Sequence, residues 1–131
     1  MTSNEQCVTL SEPPAYLLER VTALVDEVFQ ATVEGRWPHV ELVALVACLR
    51  AEVLPRAEHE ECEVFVRKVN GADRAQLLRD HRRLQEATAV LARAAAGEGT
   101  HSPAHVAATA RSVLAQLDRH LAAEREALAL A

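Results

Sequence analysis

The sequence predicts an all-α fold, an antiparallel up-down-up-down four-helix bundle, on three observations. Apolar residues recur in alternating steps of four and three through four segments, the period of a helix with one buried stripe. Ala, Leu, Glu and Arg are abundant, with only four Gly and five Pro in 131 residues, a composition that favours helix interiors. Breakers fall mainly in short stretches between those segments, and short connections make neighbouring helices antiparallel.

The elements follow in order. Residues 1–10 show no period and are expected to form a disordered tail, leaving 11–131 as the helical domain. Ser11 with Pro13 and Pro14 reads as a cap followed by prolines in a first turn. Helix one then runs to about Val33 on the seam Leu17, Val21, Leu24, Val28, Ala31, and Gly35 ends it. Trp37 and Pro38 open helix two, which extends to about Val69 on the seam Leu42, Val46, Leu49, Val53, Arg56, Glu60. Pro55 lies inside it and should kink it, because proline deletes a backbone hydrogen bond. Asn70 and Gly71 break the pattern, and helix three starts near Asp73 with the seam Leu77, His81, Leu84, Thr88, Leu91, Ala95. Ser102 caps helix four, Pro103 is its first residue, and its seam is Val106, Ala110, Val113, Leu117, His120, Glu124, Ala127.

Composition bounds the function. A formal charge of −5 argues against a general nucleic-acid binder, which would be basic. No run approaches the roughly 20 apolar residues of a membrane span, and the N-terminus lacks the layout of a signal peptide, so a cytoplasmic protein is expected. Cys7, Cys48 and Cys62 fit no finger or CxxC spacing; Cys48 and Cys62 read as reduced thiols in or near the core, with Cys7 in the tail. Thirteen Arg against the single Lys68, with the Ala richness, point to a bacterial, GC-rich source.

Four seam positions are polar in a way a bundle interior resists: Glu60, His81, His120 and Glu124. Burying an unpartnered charge costs several kcal/mol (roughly), so these groups need each other or an ion. Counting from the turns puts Glu60 level with His81, and His120 and Glu124 in the same layer, the last two co-directed by their i,i+4 spacing. Imidazoles and carboxylates on facing helices are how bundles build iron or manganese sites. Arg56, one turn before Glu60, brings a cation to the same interior and leaves open a pocket held only by salt bridges. His39, His59 and the pair His101 and His105 carry weaker signals, and Glu58, Glu61 and Glu63 read as a solvated face.

Three segments, WPHVELVALVACLRAEVLPRAEHEECEVF, LLRDHRRL and LAQLDRHLAAEREAL, resemble the hemerythrin-like, HHE cation-binding domain family over residues 16–128. Such domains carry LLxEHxxL in helix one, LPHAxxEE in helix two, a helix-three His and a terminal HxxxE. They are four-helix bundles with a non-haem di-iron centre used for oxygen binding, sensing, or peroxide and nitric oxide chemistry. The resemblance carries metal ligation onto Glu60, His81, His120 and Glu124. It also shows two departures: Val21 stands where the family has its first His, and Arg56 where it has its second. In the family both histidines serve the same iron, so the resemblance implies one metal at most, with Arg56 replacing the other ion's charge.

The expected function is therefore non-haem iron binding at a mononuclear site, one ion per chain, with another divalent metal as the alternative. Oxygen-dependent chemistry on a small molecule fits, as an oxidase or oxygenase with Arg56 in a catalytic role, holding a substrate carboxylate or a dioxygen-derived anion. An oxygen, peroxide, nitric oxide or iron sensor or carrier stays open, as does a metal-free interaction module. Neither a nucleic-acid nor a membrane partner is expected. The residues name no substrate and leave the oligomeric state open.

Overall fold

The computed structural model describes residues 14–60 and 71–130, with side chains for 15–60 and 71–126. The expected tail, the Ser11 cap, the far end of helix two with Glu61, Cys62 and Glu63, Asn70, and the Ala127 side chain lie outside the described residues. All regular structure among the described residues is helical: α1 (Pro14–Val33), α2 (His39–Cys48), a π-helical turn (Leu49–Val53), α3 (Leu54–His59), α4 (Gly71–Ala95) and α5 (Pro103–Leu130). No described helix is long and apolar enough to cross a membrane.

The helix ends follow local chemistry. Gly35 takes φ +76 after α1, and Arg36 N–H and Gly35 N–H donate to the carbonyls of Ala31 and Thr32, satisfying carbonyls the helix leaves unpaired. The same pair of bonds recurs after α4, where Gly97 takes φ +77 and Glu98 and Gly97 donate to Arg93 and Ala94. At the start of α5 the Ser102 hydroxyl accepts from His105 N–H at 3.1 Å, the expected cap. Gly71, read from sequence as a breaker, is instead already helical at the first described residue of α4.

Helix two departs most from expectation. Rather than a kink at Pro55, the chain opens one wider turn before it, with Leu54 N–H donating to Leu49 O five residues back. Proline lacks the N–H that would bond Ala51, and its ring would crowd that carbonyl; widening the preceding turn relieves both. The flanking residues keep right-handed helical dihedrals, so α2, the π turn and α3 form one continuous rod. Past the wide turn Val53 and Glu60 stay on the buried face as expected, but Ala57 takes the inward place between them, and Arg56, expected on the seam, sits on its flank with 16 % of its side chain exposed.

α1 packs on α2 and α5, and α4 packs on α2, α3 and α5, so each rod touches two neighbours around one apolar interior. That interior is mostly Leu and Val: Leu17, Val21, Val28, Leu42, Leu45, Leu49, Leu84, Leu91, Val113 and Leu117 are all essentially inaccessible. On α1, Val25 is buried and Leu24 half-buried; at 100° per residue Val25 lies about 40° from Val21 and Leu24 about 60°. Arg111 covers the Phe29 ring at 3.6 Å and ties α5 to α1. Cys48 is half-buried, and its thiol donates to Glu52 Oε2 at 3.3 Å.

Candidate metal centre

Among the described residues five polar side chains are buried: Glu60, His81, Thr88, His120 and Glu124. All five are seam positions of their helices. Thr88 settles its own hydroxyl on the carbonyl of Leu84 at 2.7 Å, which any helix allows, and plays no part in the cluster. The other four meet across the helices, besides the contacts Glu60 and Glu124 make one turn away on their own rods.

α4 and α5 bring the two imidazoles together, with His81 Nε2 and His120 Nε2 2.7 Å apart and the rings edge to face. Glu60, where the described part of helix two ends, sets Oε2 at 3.7 Å from His81 Nε2 and 3.8 Å from His120 Nε2. Glu124, one turn beyond His120, sets its Oε2 at 3.4 Å from His120 Nε2. Arg56 closes the far side: Nε lies 3.0 Å from Glu60 Oε1, and Nη2 lies 4.0 Å from Glu124 Oε1. One ligand atom each from Glu60, His81 and His120 falls within a 4.8 Å span, the one such group of three or more among the described residues. The His101 and His105 rings, by contrast, stack at 6.2 Å instead of converging, with His101 Nε2 at 3.1 Å from the Glu98 carbonyl.

Burial and charge act against each other here. Loss of solvent raises Glu60, more than the neighbouring cations lower it, and its carboxyl titrates at about 7. Desolvation opposes protonation of His120, but Glu124 and Glu60 outweigh it and hold the imidazole up at about 9. Burial likewise raises Glu124, yet His120, Glu60 and Arg56 bring its carboxyl below the usual value. With both carboxylates ionised, the metal-free cluster carries two negative charges against the two positive charges of Arg56 and protonated His120.

The donor set fits a divalent cation. Metal–nitrogen bonds of about 2.0–2.1 Å put neighbouring ligand atoms about 2.9–3.4 Å apart. The His120–Glu124 distance already lies in that range; the histidine pair must spread and Glu60 must approach by a few tenths of an ångström each. Glu124 Oε2 is a buried acceptor that receives no hydrogen bond among the described residues, which leaves a lone pair for an ion.

No family model, curated protein or solved structure matches the chain. The site stands on its own chemistry.

Of the four sequence-predicted ligands, Glu60, His81 and His120 share the 4.8 Å group, while Glu124 lies outside it and touches His120; Arg56 joins from the flank. One residue escaped the sequence reading. Asp80 Oδ2 lies 3.8 Å from His120 Nδ1. The available signal was its place beside His81 on α4, next to the expected layer.

Proposed function

We propose that the chain is a divergent hemerythrin-like domain, an up-down-up-down four-helix bundle that holds a single divalent metal, iron in the cell, between Glu60, His81, His120 and Glu124. The observation that carries this reading is the convergence of Glu60, His81 and His120 from three rods within a 4.8 Å span, with Glu124 Oε2 beside His120 at 3.4 Å. Bound ferrous iron would supply dioxygen activation, and the chain's residues would supply the rest. His81 and His120 would offer neutral nitrogen donors, Glu60 and Glu124 would offset the ion's charge, and the burial of all four side chains keeps the site from bulk solvent.

Arg56 explains why one ion suffices. Two carboxylates, one guanidinium and one dication sum to a single positive charge; a second dication would raise this to three in a desolvated interior. The half-buried guanidinium is also placed to meet an anionic ligand, as its fork suits carboxylates. Oxygen-dependent chemistry on a small acid is the activity this arrangement supports best.

A second reading has its own support. The 2.7 Å contact between His81 and His120 and the 3.0 Å contact between Arg56 and Glu60 make a nearly neutral network without any ion. In that case the chain would be an interaction module with a salt-bridged pseudo-site.

Titration of the anaerobic protein with ferrous or zinc ion separates the two. Binding needs His120 neutral and Glu60 ionised; between about 7 and 9 the ion must expel the His120 proton, and below about 7 the Glu60 proton as well. Affinity should therefore climb about tenfold per pH unit from about 7 to about 9, and more steeply below 7. His81→Ala should abolish binding. Weak, pH-independent binding that survives His81→Ala would favour the pseudo-site.

A further inference from the structure

We propose that Asp80 is a positioning residue of this centre. It holds the Nδ1–H edge of His120, so that Nε2 is the nitrogen offered to a cation. The role rests on the metal-binding reading above, while the contact itself can be tested without it.

Nδ1 of His120 is buried and has no hydrogen-bond partner among the described residues. The carboxylate oxygen facing it is Asp80 Oδ2, at 3.8 Å. Asp80 is itself oriented from its other side: Oδ1 accepts from Gln76 Nε2 at 3.0 Å, one turn earlier on α4, and lies 3.9 Å from Arg83 Nη1. With Oδ1 engaged on the surface, Oδ2 is left toward the imidazole. A ring shift of under an ångström, or one bridging water, completes the bond.

The surroundings permit both. Asp80 lines a cavity of about 200 Å³ together with Gln76, Arg83, Gln116, Arg119 and Ala123, and the last three flank His120 on α5. The same cavity is lined by Gln116, whose Oε1 is a second buried acceptor without a partner. Histidine presents one nitrogen to a metal only when the other keeps its proton, and a carboxylate behind the ring fixes that tautomer. Asp80 stands where such a carboxylate belongs.

The test uses the full ¹⁵N-labelled chain, metal-free and with zinc as a diamagnetic probe, as wild type, Asp80→Ala and Asp80→Asn. In the wild type, His120 should show an exchange-protected Nδ1–H, and in the zinc form a bare, metal-bound Nε2. Asp80→Ala should lose the protected proton and weaken zinc binding about 10- to 100-fold. Asp80→Asn, whose amide oxygen still accepts, should recover most of both, which a merely structural effect would not produce. Unchanged Nδ1–H signals and zinc affinity within about twofold in Asp80→Ala would overturn the assignment. If the wild type takes up no zinc, the metal reading fails, and the metal-free spectra still decide the contact. A protected Nδ1–H lost in Asp80→Ala supports it; identical spectra refute it.

Discussion

Arg56→Ala should destabilise the metal-free protein by about 3–5 kcal/mol, the range for removing one partner from a buried ion pair. The guanidinium side chain is only 16 % exposed and faces both Glu60 and Glu124, so its loss leaves two carboxylates confronting one protonated imidazole. In a chain of this size that amounts to a fall in Tm of roughly 10–20 °C. The deficit depends on pH in a defined direction. Arg56 lowers the pKa of Glu60, so removing it raises further a carboxyl already at about 7. A raised carboxyl pKa contributes stability below the unfolded value and loses it as pH rises through the folded one. Below about pH 7 parent and variant both keep the Glu60 proton and the extra deficit through Glu60 is smallest; it grows as pH rises above 7, where the parent ionises and the variant resists. Bound metal should shrink the difference, because the ion supplies the missing positive charge. Thermal melts across pH, with and without zinc, would check all three statements. A variant as stable as the parent above pH 7 would mean that Arg56 does not serve as the counter-ion.

The second large effect concerns metal number. On the proposed reading, Val21 and Arg56 occupy the places of two histidines that would serve a second ion. Val21→His with Arg56→His should therefore raise metal content from about one to about two per chain, since it adds two imidazoles and removes a permanent cation. Val21 is fully buried, so the new imidazole costs stability unless an ion engages it. Elemental analysis with a thermal melt gives the answer: two ions and a recovered Tm support the correspondence. One ion and a destabilised protein would mean that Val21 does not face the centre.

Much of this was legible in the sequence, because helix period and burial are tightly linked. The polar seam positions Glu60, His81, Thr88, His120 and Glu124 are the five polar residues buried among the described ones, and each was identifiable from its apolar neighbours three and four residues away. What periodicity could not show was the partner of each group. Thr88 turns back on its own helix, whereas His81 and His120 reach across to each other, and both look alike on a seam. The π turn was hidden for a different reason. Pro55 announces a missing hydrogen bond, but a kink and a widened turn both repair it, and the sequence does not choose between them. In the structure Ala57 lies in the core and Arg56 on the flank, where it can reach both carboxylates, while Glu60 keeps its seam place. Asp80 was missed because an exposed-looking acid beside a seam residue reads as surface until the facing helix is in place.

The most direct test of the central claim is the metal content of protein purified anaerobically with iron supplied. The proposed reading predicts about one iron per chain, lost on His120→Ala. Two irons per chain would contradict the role given to Arg56, and none would leave the cluster a salt-bridged interior with no metal chemistry.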